Sequence, residues 1–188
     1  MTNTINTPVY FPILQTDRLI LRQLTMEDID FVFKHFHDLN VTQYLMDEPP
    51  VVDYAQAQAI IEFYLAPEDK MHNRWGIVRK VDNRLIGTCG YHKWMKAYFR
   101  VEIGYDLSPD CWAQGYMNEA IRAVIHNGFE RMGLNRIDAL VYINNDRSIK
   151  LLQKLGFKLE GLLRDYFCLD GIFYDHYLFA LLRRKWEG

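Results

Sequence analysis

The first part of the chain switches between a two-residue and a helical spacing of apolar positions. From Arg18 to Leu24 apolar and polar residues alternate, which predicts a half-buried strand. Thr25 and Asp28 then form a near capping box, and the apolar spacing that follows predicts an amphipathic helix. After a proline-containing break, Asp53 can cap a second helix that ends by Pro67.

The middle of the chain reads as three successive strands. Two apolar runs, RWGIVRKV and RLIGTCGYHKW, flank Asp82 and Asn83, a residue pair suited to a hairpin turn. The third run, Val101–Leu107, leads into the loop PDCWAQGYMNEA, and a long helical pattern follows that loop directly.

The remaining pattern predicts a strand at Arg136–Ile143, a short helix that Gly156 ends, and two strands joined at Asp170 and Gly171. The full order is β-α-α-β-β-β-α-β-α-β-β, without a repeat, a linker or a low-complexity run. We therefore predict a single mixed α/β domain over residues 1–188, with helices flanking one sheet.

The loop PDCWAQGYMNEA combines one glycine with the start of a helix. The first N–H groups of a helix lack intrahelical partners and carry a partial positive charge, so such a loop suits an anion, usually a phosphate. A strand-to-helix turn without a ligand explains the same residues, and short glycine patterns occur by chance. The loop alone leaves both interpretations open.

The composition disfavours a nucleic-acid-binding protein, a secreted protein and a membrane-spanning protein. The 188 residues are 49% hydrophobic and 24% charged, with a net charge of −2, so no global basic surface points to nucleic acid. Three scattered cysteines suit a reducing compartment. The N-terminus does not resemble a signal peptide, and no apolar run is long enough to span a membrane. We expect a cytoplasmic protein that binds neither nucleic acid nor a membrane.

Four segments occur in an order typical of one enzyme family: TDRLILRQLTMEDID, LIGTCGYHKW, VEIGYDLSPDCWAQGYMNEAI and NNDRSIKLLQKLGFKLEGLLRD. On these segments the chain resembles the GNAT N-acetyltransferases, and specifically the Rim branch that acetylates ribosomal proteins. The resemblance implies a mostly antiparallel twisted sheet that is splayed at the cofactor site. It also implies acetyl-CoA as co-substrate and no metal.

The family's pyrophosphate loop places its glycine on Gly115, and Trp112 takes the position that is often Arg or Gln. Met117 replaces a small residue, so its side chain must either point away from the phosphates or crowd them. We expect it to point away, because the helix needs apolar packing residues. The resemblance assigns the cofactor contacts to Tyr105, Leu107, Trp112, Ala113, Gln114, Gly115, Tyr116, Met117, Asn118 and Asn145.

Two residues are candidates for acid–base chemistry. Glu102 lies on the strand that the resemblance places at the active cleft, and it is the candidate base; the alternative is a surface glutamate on an alternating strand. The family's usual tyrosine acid is replaced by Leu152, so Ser148 in NDRS is the candidate acid. Glu119, in the first turn of a helix, is interpreted as structural.

Other side chains have simpler interpretations. Cys111 beside the loop invites an acyl-enzyme, but a packed thiol is favoured. His35 and His37 point to different faces of a helix and make poor metal ligands. Possible walls of the acceptor pocket are Tyr91, His92 and Trp94.

The acceptor must be an amine, and its class stays open. An α-amine has a pKa of ~7.7–8.0 against ~10.4 for lysine, so it is deprotonated far more easily. This favours the N-terminal α-amine of a protein such as a ribosomal protein. The alternatives are a small amine (a polyamine, an amino acid or an antibiotic), for which Asp47 and Glu48 could supply negative charge, and a non-catalytic acyl-CoA sensor. Either a monomer or a homodimer is compatible with the sequence.

Overall fold

A computed structural model describes residues 10–45, 49–67 and 71–187. Within these ranges eight strands form one sheet: β1 (Leu14–Gln15), β2 (Leu19–Gln23), β3 (Asn73–Arg79), β4 (Arg84–Met95), β5 (Arg100–Leu107), β6 (Arg136–Tyr142), β7 (Lys158–Leu169) and β8 (Ile172–Leu182). Five α-helices lie in the same ranges: α1 (Ile29–His37), α2 (Leu39–Thr42), α3 (Tyr54–Tyr64), α4 (Tyr116–Glu130) and α5 (Asp146–Lys154).

The strand order is β1-β2-β3-β4-β5-β6-β8-β7, and all neighbours are antiparallel except β5 and β6. These two parallel strands pair only over Arg100–Glu102 and Arg136–Asp138. Beyond that point β5 keeps its pairing with β4 through Leu107. The other edge of β5 therefore opens towards β6, and the sheet is splayed at its centre.

The two faces of the sheet are covered by different helices. The main core packs Ile121, Val124 and Ile125 of α4 against strand residues such as Ile77 and Ile103, and α5 contributes to the same cluster. A smaller cluster joins α1 and α3 to the opposite face. The gap between β5 and β6 therefore has α4 and α5 on one face of the sheet and α1 and α3 on the other.

The predicted order of the main elements and the mixed α/β class are confirmed. The turn at Asp170 and Gly171 has the positive φ angles, 52° and 78°, that a tight hairpin needs. Three differences remain. β1 and α2 were not predicted, because elements this short carry almost no periodicity, and β7 begins at Lys158 rather than Arg164. Register irregularities before Gly161 and before Phe167 obscure the alternation of β7.

Candidate active site

The separation of β5 from β6 opens a cavity of about 770 Å³. Glu102, Tyr105, Asn145 and Ser148, four of the residues predicted for the site, line this cavity together. The sheet interruption therefore brings the candidate base, the candidate acid and part of the predicted cofactor site to one place.

Glu102 and Tyr105 reach the cavity from opposite faces of β5, because side chains alternate along a strand and these positions are three residues apart. Glu102 lies on the α1–α3 face, since the same-face residue Asp106 contacts α1. Its Oε2 is 3.1 Å from Lys93 Nζ, and its side chain is 22% exposed. The carboxylate thus faces a sheltered cavity from the face of β5 opposite to the Tyr105–Ser148 contact.

Ser148 lies in the first turn of α5. Its backbone N–H donates to Oδ1 of Asn145, which caps the helix. Its Oγ lies 2.6 Å from the hydroxyl oxygen of Tyr105. Leu152 is fully buried in the main core and offers no donor to the cavity. Asn145 is therefore a capping residue here, and its predicted contact with the cofactor remains a prediction.

The loop before α4 has the backbone that an anion site requires. Gly115 has a φ of 80°, a conformation that favours glycine, and it is the N-cap of the 15-residue helix α4. Ala113 also has a positive φ, 59°. A Cβ built on Gly115 would meet Arg18 Nη2 at 3.4 Å. Free helix N–H groups and a nearby guanidinium thus face the space next to Gly115, and this combination fits a diphosphate.

Arg18 and Glu119 fasten the loop to the first strands. Glu119 accepts hydrogen bonds from Arg18 N at 2.8 Å, from Arg18 Nε at 2.6 Å and from Thr16 Oγ1 at 2.5 Å. Arg18 Nη1 also donates to the backbone oxygen of Gln114, 3.0 Å away. Burial alone would raise the pKa of Glu119, but these bonds outweigh it and lower the pKa. Glu119 has the structural role that its position predicted.

Trp112 and Met117 both have side-chain partners elsewhere in the fold. The Trp112 indole donates to the backbone oxygen of Leu107, 2.8 Å away, and Arg147 of α5 stacks on its ring at 3.9 Å. Met117 is buried in the main core and points away from the loop, as expected. Oδ1 of Asn118 is buried and has no hydrogen-bond partner among the described residues, so it can accept from an N–H of a bound molecule.

Arg74 and Asp106 form a buried ion pair on the α1–α3 side. Asp106 also accepts from Thr88 and lies 2.6 Å from His35 Nε2, while Arg74 Nη1 donates to the hydroxyl of Tyr64. Burial alone would raise the pKa of Asp106, but Arg74 and the hydrogen bonds of His35 and Thr88 hold it well below its usual range. Arg74, Tyr64 and His92 all line the cavity. The sequence analysis did not predict this network. Asp106, a charged residue at a buried position of β5, could have indicated it.

His92 lies opposite Glu102 in the β4–β5 ladder and lines the cavity. Burial, followed by the nearby positive charge of Arg74, lowers its pKa to about 3. The imidazole is therefore neutral at physiological pH and can accept a hydrogen bond. Tyr91 and Trp94, the other predicted wall residues, are instead buried in the main core, so that prediction was wrong for these two.

The remaining candidates have structural explanations. Cys111 is fully buried, and burial raises its pKa, so it is a packed thiol. His35 bonds Asp106, whereas His37 Nδ1 lies 2.8 Å from the Val51 backbone oxygen. Asp47 and Glu48 lie outside the described residues. No group of His, Cys, Asp and Glu side chains in the described ranges could hold a metal ion, and none of their helices has the length and apolarity to cross a membrane.

Comparison with known proteins agrees with this geometry. Residues 18–158 match the family model of the acetyltransferase (GNAT) domain. YoaA of Bacillus subtilis, an uncharacterized N-acetyltransferase, is 40% identical over 93% of this chain and 99% of its own length. The ribosomal protein uS5-alanine N-acetyltransferase of Escherichia coli is 29% identical over 92% of both chains.

A solved structure adds agreement at the level of the fold. Spermidine N-acetyltransferase from Vibrio cholerae, in complex with CoA and spermine, superimposes with a TM-score of 0.80 at 20% identity, covering 90% of this chain and 98% of its own. The family match extends from β2 to the first residue of β7 and includes the loop at Gly115, Glu102 and Ser148. The chain therefore belongs to the GNAT family of N-acetyltransferases and is an enzyme of acetyl transfer from acetyl-CoA.

Proposed function

We propose that this acetyltransferase modifies the N-terminal α-amine of a protein, and that residues 1–188 form a single catalytic domain. A cytoplasmic location belongs to the same proposal, because the described cysteines are all free thiols. The uS5-alanine N-acetyltransferase of Escherichia coli, whose name describes this activity, matches 92% of this chain.

The charge of the acceptor side carries the proposal. Among the described residues that line the cavity, Glu102 is the only carboxylate, and Lys93 already pairs with it. Arg74 and Lys93 add positive charge, and most of the α1–α3 wall is apolar or aromatic. A polyamine carries several positive charges and needs several carboxylates, whereas an N-terminal residue presents one amine beside an apolar side chain. The cavity suits the second kind of acceptor.

Backbone and side chains around Gly115 supply the cofactor site in this proposal. The N–H groups of Gly115, Tyr116 and Met117 face the diphosphate, and Arg18 lies beside it. The open edge of β5 from Tyr105 to Leu107 offers backbone groups to the extended arm, and Asn118 Oδ1 offers an acceptor. The bound molecule supplies a thioester-activated acetyl group.

Glu102 and Ser148 divide the chemistry between them. Glu102 removes a proton from the acceptor ammonium, directly or through water, and the neutral nitrogen then attacks the acetyl carbonyl carbon. The C–N bond forms and the C–S bond breaks, with the electron pair left on sulfur, and the nitrogen releases its second proton to water to give the neutral amide. Ser148 donates a hydrogen bond to the departing sulfur, whose thiolate has an ordinary pKa of ~8.5 and needs only modest help. The thiolate then takes a proton from water.

A thiol-release assay tests the proposed acceptor. The protein is incubated with acetyl-CoA and, separately, with a peptide that has a free N-terminal alanine, the same peptide with a blocked N-terminus and one internal lysine, and spermidine. We expect thiol release with the first peptide only. Release with spermidine but not with the peptide would assign the small-amine class. CoA binding without release from any acceptor would assign the acyl-CoA sensor.

A further inference from the structure

We propose that the phenol of Tyr105 orients the Ser148 hydroxyl, so that the hydrogen of Ser148 points to the departing sulfur. The two oxygens lie 2.6 Å apart, on β5 and on α5, at the point where the sheet is open. Tyr105 is thereby a positioning residue that acts through Ser148. The inference rests on the proposed role of Ser148 in acetyl transfer.

The number of hydrogen-bond donors on the two hydroxyl groups explains why Tyr105 must be the donor. A serine hydroxyl has one hydrogen to donate and two lone pairs to accept with. If Ser148 donated to Tyr105, it would have nothing left for the sulfur. If Tyr105 donates, the hydrogen of Ser148 is free. The phenol is the stronger acid of the two, and so the better donor. Burial raises the pKa of Tyr105, so the phenol keeps its proton at physiological pH.

Both partners are held by their own elements. Tyr105 pairs with Cys89 in the β4–β5 ladder, and the backbone of Ser148 is fixed by the Asn145 cap. The distance between the oxygens is therefore set by backbone positions on both walls. Leu152 of α5 is a buried aliphatic residue and supplies no hydroxyl. The phenol next to Ser148 therefore comes from Tyr105 on β5.

The energetics favour orientation over proton transfer from Tyr105. A thiolate with a pKa of ~8.5 would have to take a proton from a phenol whose ordinary pKa is ~10 and is raised here, which is uphill. The sulfur therefore leaves as a thiolate that accepts the Ser148 hydrogen bond and is protonated by solvent. One proton of the acceptor ammonium goes to Glu102, the second passes from the nitrogen to water, and Tyr105 remains neutral throughout.

A double-mutant cycle tests the pair. Kinetics with acetyl-CoA and the N-terminal alanine peptide are measured for the wild type, Tyr105→Phe, Ser148→Ala and the double variant. We expect Tyr105→Phe to lower kcat about tenfold with little change in KM for acetyl-CoA. Because Tyr105 acts through Ser148, the double variant should match Ser148→Ala within about twofold. Tyr177→Phe, which removes a phenol from the same core outside the cavity, should keep the wild-type kcat.

The possible outcomes separate this inference from the proposed function. If the wild type is active but Tyr105→Phe equals it, or the two losses multiply, the coupling is refuted while the acetyltransferase assignment stands. A wild type that releases thiol with spermidine but not with the peptide overturns the proposed acceptor alone, and the cycle is then measured with spermidine; a wild type that releases no thiol with either acceptor overturns both. If Tyr105→Phe folds poorly, a fluorinated tyrosine at position 105 keeps the shape and acidifies the phenol. We then expect kcat to fall at a lower alkaline pH than in the wild type; an unchanged pH profile would refute the inference.

Discussion

His35 Nε2 of α1 lies 2.6 Å from Asp106 Oδ1 of β5, and the two side chains are 2% and 3% exposed. Arg74 approaches the other carboxylate oxygen of Asp106. Through His35, and through Arg74 and Tyr64, this network joins α1 and α3 to the strand that carries Glu102, so the packing of these helices against β5 depends on one buried carboxylate.

Asp106→Asn should destabilise the protein strongly, because it leaves the buried guanidinium of Arg74 without its counter-charge. Removing one partner of a buried ion pair costs about 3–5 kcal/mol. Denaturant unfolding measures the loss. The matched control is Asp110→Asn, which breaks an exposed pair with Arg84 and should cost no more than about 1 kcal/mol. Equal losses for the two variants would show that the buried pair contributes no more than a surface pair.

His92 should make stability fall in mild acid. Its folded pKa of about 3 lies below the ordinary histidine value of 6.5, so between these values the unfolded chain binds a proton that the folded chain does not. The contribution of neutral His92 to the free energy of unfolding is then fully present above about pH 6.5 and is lost as the pH falls towards 3. We expect His92→Gln to flatten this decline in unfolding curves between pH 6.5 and 4.5. His126→Gln, at an exposed position of α4, should leave the slope as it is.

Glu102→Gln should lower kcat/KM mainly below neutral pH. There the acceptor is an ammonium that needs a base, whereas at alkaline pH the amine is already neutral. We expect a loss of about 100-fold at pH 6 that shrinks as the pH rises. A pH–rate profile of thiol release measures it. Glu130→Gln, on the exposed end of α4, serves as the control. A loss that is the same at every pH would contradict the assignment of Glu102 as base.

Gly115→Ala should weaken CoA binding by tenfold or more, because alanine strains the φ of 80° that aims the N–H groups at the diphosphate. Calorimetric titration with CoA measures the affinity. Gly171→Ala is a matched control: it imposes a similar strain at a φ of 78°, in a hairpin turn that does not line the cavity. Both variants should lose comparable stability, but only Gly115→Ala should lose CoA affinity.

The sequence predicted features whose signals are local. Gly115 at a loop–helix junction was enough to place the loop, whereas the family resemblance, and not a local spacing, pointed to Glu102 and Ser148, which line one cavity. The pairs Arg74–Asp106 and Arg18–Glu119 were missed, because each joins positions far apart in the chain and no spacing rule links them. The Tyr105–Ser148 contact was missed for the same reason.

The three-residue pairing of β5 with β6 leaves the rest of β5 unpaired with β6. In the proposed cofactor site, an extended pantetheine arm in this gap would act as a surrogate strand between the two halves of the sheet. Occupancy should slow amide hydrogen exchange along Ile103–Leu107 and raise the melting temperature with ligand concentration. The apparent stability of the folded protein would then follow the concentration of acetyl-CoA.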